Sequence, residues 1–389
     1  MNDGDSEQVD RERVLAFRAA GQQLTDASAA PDLWAAAAAA GAQNTPPGNG
    51  SIALLARVPG LTVDEVDRAL AEDKSLLQAW AVRQSPYLFP TRDLPVFTRP
   101  MLPEDEESWR VAVQGFVPML DGMKRSAVDV VELTRAAIED ALDGQVLTKR
   151  ELGVALGKRM PDEFSGWFEP DTFSGFTAIL ARAISLTGLF VIAPRAGREA
   201  SFVRTDQWLG KKPPHRSASA ARKEFVRRYL RAYGPSTPEH LAEWAGTAQP
   251  VAAKAWQAAA DELREVRVDG RTTWIHRDDH RALVDPPEVR GLRVLPAYDP
   301  WLHQRDRETA VPDGALRKRV WKHTGNPGVV LRDGELVALW RSRKSGRTLR
   351  LTVETVRKLR KADREGIEQR AADIAPFRGC TRAETEFTD

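Results

Sequence analysis

The sequence predicts a mixed α+β fold, mainly helical, in which one module recurs and a strand-rich segment follows. Three observations carry this. A pattern of helices, a capped second helix and two strands around a polar turn occurs three times. Its clearest copy closes on Asp269-Gly270 between two alternating runs, the strongest short-range hairpin signal. From residue 291 the pattern changes to short strands, with Asp333-Gly334 between two of them.

The clearest copy begins with a helix over 222–232, where Phe225, Tyr229 and Ala232 recur at helical spacing. Gly234-Pro235 stops it, and Ser236-Thr237-Pro238-Glu239 opens the next helix with a hydroxyl cap and an early acid. A longer helix over 250–263 leads into strands at 263–268 and 272–276. Helix, helix-turn-helix and hairpin is the grammar of a winged helix. A second copy has helices at 128–142 and 172–186, a Thr148/Glu151 capping box and strands at 188–193 and 200–204. A less regular first copy has helices at 9–21, 33–40, 53–57 and 62–70, then a hairpin over 76–89. The C-terminal strands, at 292–295, 329–331, 336–340 and 348–353, suggest a small β-barrel or sandwich, with a charged helix at 356–374. The expected domains are winged helices at 9–100, 101–210 and 218–285 and a C-terminal β-barrel with terminal helix at 290–389, with linkers at 99–107, 211–219 and 285–290.

Composition narrows the function. A chain of 389 residues with 42% hydrophobic and 29% charged residues is globular, not disordered. One cysteine, Cys380, excludes a disulfide framework and a cysteine zinc site. His276 and His280 lie across a strand end with no third ligand near, so no metal and no cofactor is expected. There is no run of eighteen apolar residues, and the N-terminus is acidic, which predicts a cytoplasmic, nucleoid-associated protein. The net charge of +2 hides segregation. Residues 195–231 hold eleven Lys and Arg against three acids, and residues 341–370 hold eleven against four. Such basic stretches suit a phosphate-rich partner or a solvated, ion-paired face. A tandem array of winged helices favours double-stranded DNA, because phosphate contacts add along one duplex. Arg195 and Arg198 at a hairpin tip, Arg204, Lys211 and Lys212 are the candidate contacts in the first basic stretch.

Several segments then resemble the AlkZ/YcaQ-like winged-helix DNA glycosylase family. Gly41-Ala-Gln43-Asn-Thr45 followed by Leu54-Leu-Ala-Arg57 resembles the family's Gly-Leu-Gln-x-Gln segment ahead of Leu-x-x-Arg. The segment from Trp80 through Arg83, Tyr87, Pro90 and Asp93 resembles its Arg-Gly-Thr-x-His-x-x-Pro-x-x-Asp-Leu segment. Phe202-Val-Arg-Thr, Arg228-Tyr-Leu-Arg-Ala-Tyr-Gly-Pro, Tyr298-Asp299-Pro, Arg305-Asp-Arg307 and Trp340-Arg continue the likeness in order. The resemblance implies three winged helices and a small barrel, C-shaped around a DNA channel, in a monomer. It implies removal of alkylated or bulky bases by hydrolysis of the N-glycosidic bond.

An N7-alkylated purine is cationic and leaves readily, so little acid catalysis is needed. What remains is to hold a water near C1′ and to stabilise an oxocarbenium-like sugar. A glutamine amide can orient that water. Gln43 matches the first glutamine of the family pair, while Thr45 replaces the second and Tyr87 replaces the family histidine. The catalytic candidates are Gln43, Thr45 and Asp299, and the alternatives for them are a helix cap, a turn residue and a turn-forming acid. Arg57 binds a phosphate or an internal acid. Tyr87 wedges the duplex or fills a hairpin core, with Arg83 beside it as a DNA contact. Arg305 and Arg307 form a phosphate clamp or an ion-pair cluster. The reading is a monofunctional DNA glycosylase; the alternative is a non-catalytic DNA-binding regulator or lesion sensor.

Overall fold

The computed structural model describes residues 8–25, 32–167, 176–194 and 199–388. It is a mixture of helices and sheets that divides into two compact units. One comprises residues 1–66, 227–240 and 260–389, and the other residues 67–226 and 241–259.

In the first unit, Leu263–Val268 and Arg271–His276 form the expected hairpin. Asp269 and Gly270 both take positive φ at its tip (49° and 75°), the conformation that a two-residue turn matching strand twist demands. Gln8–Val9 adds a parallel third strand. The helix Arg11–Gly21 follows, capped by Asp10, which accepts from the Arg13 amide at 2.8 Å. Val14 and Phe17 on its inner face pack with Val266, Ile275 and Leu283.

The C-terminal strands form an open five-stranded sheet and not a closed barrel. Leu292–Leu295, Gly328–Arg332, Glu335–Ser345 and Thr348–Thr355 pair antiparallel in sequence order, and Arg382–Thr388 adds a parallel edge. A parallel pair needs a long crossover, which the helix Lys361–Ile374 supplies. That helix packs on both the first and the last strand, so a helix stands where strand-to-strand closure would be needed. The helix starts later than periodicity suggests, at the Arg360 amide donating to Asp363 Oδ2 (2.8 Å). Leu295, Val329, Leu331, Leu336 and Leu339 form the core of this sheet with Trp301, Leu302 and Val320. Beyond Trp340 the long strand leaves the core, and residues 341–347 are exposed except as they turn back at Thr348.

In the second unit one sheet runs in the order Pro86–Pro90, Leu76–Trp80, Phe190–Ala193, Ser201–Arg204, Leu147–Thr148. The hairpins expected for the first two modules thus lie edge to edge, through Gln78 opposite Ile192. Trp80, Phe190 and Phe202 stack edge-on and tilted at centroid distances of 5.0–6.1 Å. The helices Ala127–Ala141, Lys149–Gly157 and Phe176–Ser185 cover this core. The Thr148/Glu151 capping box forms as the sequence predicts. The beginning of the helix expected at 172–186 lies outside the described residues, as do Arg195 and Arg198.

Within the first unit Arg18 is a buried hub. Its guanidinium donates to Asp306 through both nitrogens (2.9 and 2.7 Å), to Gln304 Oε1 (3.0 Å) and to the carbonyls of Gly234 and Pro235 (3.0 and 3.2 Å). One side chain therefore holds three segments remote in sequence. Removing one member of a buried pair strands the other, at about 3–5 kcal/mol. Arg18→Met should lower the unfolding free energy in urea by about 3 kcal/mol. Arg18→Met/Asp306→Leu should recover part of that loss.

Candidate active site

The candidate site starts from a short segment, residues 42–57. Ala42–Gln43 is a brief strand, and the helix Asn49–Leu55 packs back on it. Between them runs a Pro-Pro-Gly loop with a cis Thr45–Pro46 bond. Asn44 Oδ1 accepts from the amides of Gly48 (2.8 Å) and Gly50 (3.1 Å), so one side chain closes the loop and caps the helix. Gly48 has φ 88°, which a side chain would strain. Gln43 is 5% exposed and Thr45 is exposed, so the two candidates sit on one loop, one sheltered and one open to solvent.

The loop is tied to the turn at residues 296–303. Asn49 Nδ2 donates to the Ala297 carbonyl at 2.7 Å. Arg57, 5% exposed, meets Asp299, fully buried, in a two-pronged pair: Nη1 to Oδ2 at 2.8 Å and Nη2 to Oδ1 at 2.9 Å. Arg57 also donates to the carbonyls of Gln22 and Ala53, each at 2.8 Å. Asp299 Oδ1 accepts in addition from the Trp301 amide (2.9 Å). Tyr298, between these two contacts, takes a left-handed φ of 63°, a conformation uncommon for a bulky residue and kept only where surroundings enforce it. The structure thus brings together the Gln43 loop, Arg57 and Asp299. It gives Arg57 an internal acid as its partner, and the Asp299 carboxylate faces protein.

Other predicted residues lie elsewhere. In the second unit Tyr87 is 1% exposed and its hydroxyl accepts from Arg83 Nη2 at 3.2 Å. Arg83 also donates to the Trp244 carbonyl (2.9 Å), and its Cγ would lie 2.7 Å from a Cβ at Gly246. Arg204 is held by Asp143 (3.0 Å) and Asp206 (2.7 Å), and the Asp206 contact raises its pKa. Lys211 and Lys212 are exposed and form no ion pair among the described residues. Half-buried Arg305 donates to the His303 carbonyl (3.0 Å), and Arg307 lies over the Trp321 ring at 5.2 Å. Asp306 between them belongs to Arg18.

Three contributors escaped sequence reasoning. Asn44 and Asn49 shape the loop; their signal was Asn spaced around Pro-Pro-Gly, a turn-capping pattern. Arg378 donates to the Pro47 carbonyl (3.0 Å) and to Asn49 Oδ1 from more than three hundred residues away, with no local pattern to announce it. Burial holds its guanidinium below the ordinary arginine pKa. Among the described residues no group of His, Cys, Asp and Glu could hold a metal, and no helix is long and apolar enough to cross a membrane.

An interstrand DNA cross-link repair glycosylase of Streptomyces sahachiroi is 28% identical over 331 residues, 82% of this chain and 83% of that protein. The solved structure of Streptomyces sahachiroi DNA glycosylase AlkZ superposes with a TM-score of 0.76 over 98% of this chain and all of that one; at 22% identity this speaks to the fold. The profile described as DNA glycosylase AlkZ-like matches residues 36–377, a span that contains the Gln43 loop, Arg57 and Asp299. The chain belongs to the AlkZ-like DNA glycosylase family.

Proposed function

We propose that this protein hydrolyses the N-glycosidic bond of alkylated bases in duplex DNA, with a water held by Gln43. The observation that carries the reading is the loop itself: a sheltered glutamine on a segment immobilised by Asn44, Asn49 and the Arg57–Asp299 pair. Orienting a water at C1′ requires such rigidity, because a small misplacement erases the benefit of proximity. The Thr45 hydroxyl, on the exposed side of the loop, supplies a second hydrogen bond to the water or to the sugar–phosphate backbone. Segment 41–57 contains no lysine, so water and not an amine is the nucleophile. The relative named for cross-link repair extends the proposed substrates to bulky adducts and cross-links.

Asp299 and Arg57 are read as positioning residues and Tyr87 as the packed support of Arg83. Lys211, Lys212, Arg305 and Arg307 supply contacts to DNA phosphates, with Arg195 and Arg198 in the same basic stretch, whereas Arg204 is taken up by Asp143 and Asp206. The three helix-and-hairpin modules are read as winged helices arrayed on one duplex.

Base release from a duplex with one N7-alkylguanine tests the reading. Gln43→Ala should lose about a hundredfold in single-turnover rate while binding DNA as the wild type does. Thr45→Ala should lose about tenfold or less. Equal rates for Gln43→Ala and wild type would remove Gln43 from the chemistry. A wild type that binds but releases nothing across a panel of bulkier adducts would favour the non-catalytic alternative.

Glutamine does not titrate, so release should be flat between about pH 6 and 9, and borohydride should trap no covalent complex. A slope of one in log rate would put a carboxylate or histidine into the reaction.

Asp299→Asn should destabilise the fold by about 3 kcal/mol by leaving Arg57 uncompensated. At a temperature where it remains folded, it should keep its release rate within about tenfold of the wild type, which a role as general base, worth about a hundredfold or more, does not allow.

A further inference from the structure

A cavity of about 420 Å³ opens beside the Gln43–Asn49 loop, on the exposed side of the C-terminal sheet. Pro46 and Asn49 form one wall, and Trp340, Arg341, Lys344 and Arg378 form others. No acidic residue lines it. Each of its three cations meets only neutral oxygens: Arg341 Nη1 the Gly325 carbonyl (2.8 Å), Lys344 Nζ the Gly379 carbonyl (2.9 Å), and Arg378 the Pro47 carbonyl and the Asn49 amide oxygen. Among the described residues none of the three has a carboxylate partner. Within the same unit the buried Arg18 and Arg57 each take a two-pronged aspartate instead.

Arg341 and Lys344 are exposed and Arg378 half-buried, so the three set up a positive field at the cavity mouth that no acid offsets, and an anion that enters among them is bound by it. A planar guanidinium fork beside a lysine point charge suits phosphate oxygens. Pro46 lies three residues from Gln43, so the cavity wall is within about 10 Å of chain from the catalytic candidate, roughly three nucleotides of axial rise. We propose that this cavity is a phosphate subsite, which takes one backbone phosphodiester of the DNA strand whose modified nucleotide is presented to Gln43. The inference rests on the glycosylase reading and adds to it the element that sets strand register. Phosphate contacts position a duplex without reading its sequence, which suits an enzyme whose target is a damaged base in any context.

The test is a scan with neutral methylphosphonate linkages. Duplexes with one such linkage at successive positions around an N7-alkylguanine are titrated against the full chain by fluorescence anisotropy. Wild type should lose about tenfold in affinity at one linkage within three nucleotides of the lesion and little elsewhere. Lys344→Gln, which alters a side chain that bonds to the Gly379 carbonyl and to no acid among the described residues, should bind the unmodified duplex more weakly and lose nothing further at that linkage. Its salt slope should be shallower by about 0.9, one phosphate's worth of released counterions. Arg341→Gln serves as a second variant clear of the loop.

Undiminished sensitivity of both variants at that linkage, or a uniform loss at every linkage, overturns the subsite. A wild type that binds duplex and releases base yet shows no linkage-specific loss sinks the subsite alone. A wild type that does not bind duplex sinks both readings. Stabilisation of wild type but not Lys344→Gln by millimolar inorganic phosphate, with no linkage effect, would make the cavity a small-anion site and reject the DNA strand as its occupant.

Discussion

The Arg57–Asp299 pair is the constraint on which the rest of the site depends. Two opposite charges, separated by 242 residues, are removed from water, and both carboxylate oxygens accept hydrogen bonds, Oδ1 from two donors and Oδ2 from one. A buried pair of this kind contributes little net stability over apolar packing, because desolvation offsets most of the attraction. What it does supply is uniqueness. Only one docking of the helix Asn49–Leu55 on the turn at 296–303 satisfies both groups, since any slippage would strand a charge. Asn49 and Arg378 then fasten the loop at its other end. The position of Gln43 follows from this frame and not from contacts of its own backbone alone.

That frame suits a reaction in which the leaving group is already charged. An enzyme that must protonate a neutral base needs an acid with a shifted pKa, and hence a site built around a titratable group. A cationic base removes that requirement and leaves geometry as the main task. A rigid, neutral amide on an immobile loop is then an adequate device, and the replacement of a second glutamine by Thr45 changes reach and orientation more than it changes chemistry.

How far this could be read from the sequence depends on the range of each signal. Asp269-Gly270 and the Thr148/Glu151 box were legible because turn and cap energies reside within a few residues. The edge strand Arg382–Thr388 was not, because its side chains alternate only weakly in burial and no turn residues bracket it. Closure of the C-terminal sheet was misjudged for a related reason: short alternating strands look alike in barrels and open sheets, and the answer lay in the helix Lys361–Ile374 covering both edges. The segment around Gln43 was recognisable, and so was Asp299 as a residue of interest. Their connection through Arg57 was not, since nothing local in Leu54-Leu-Ala-Arg57 distinguishes an arginine for an internal acid from one for a phosphate.

The same distinction runs through the whole charge distribution. A count of basic residues treats Arg18, Arg57, Arg204 and Lys344 alike, yet the structure sorts them by partner. Arg18 and Arg57 are spent on buried aspartates, and Arg204 is neutralised by Asp143 and Asp206. Arg341, Lys344 and Arg378 face one cavity with only neutral oxygens around them. A surface arginine that already holds an acid has little field left for DNA, because a phosphate would have to displace that acid. The charges available to a duplex are therefore those the fold leaves uncompensated, and in the first unit three of these line the cavity beside the loop that carries Gln43. On the proposed reading, unpaired cations next to a neutral amide separate two tasks. There the cations hold the strand, and the amide acts on a bond whose position the strand has already determined.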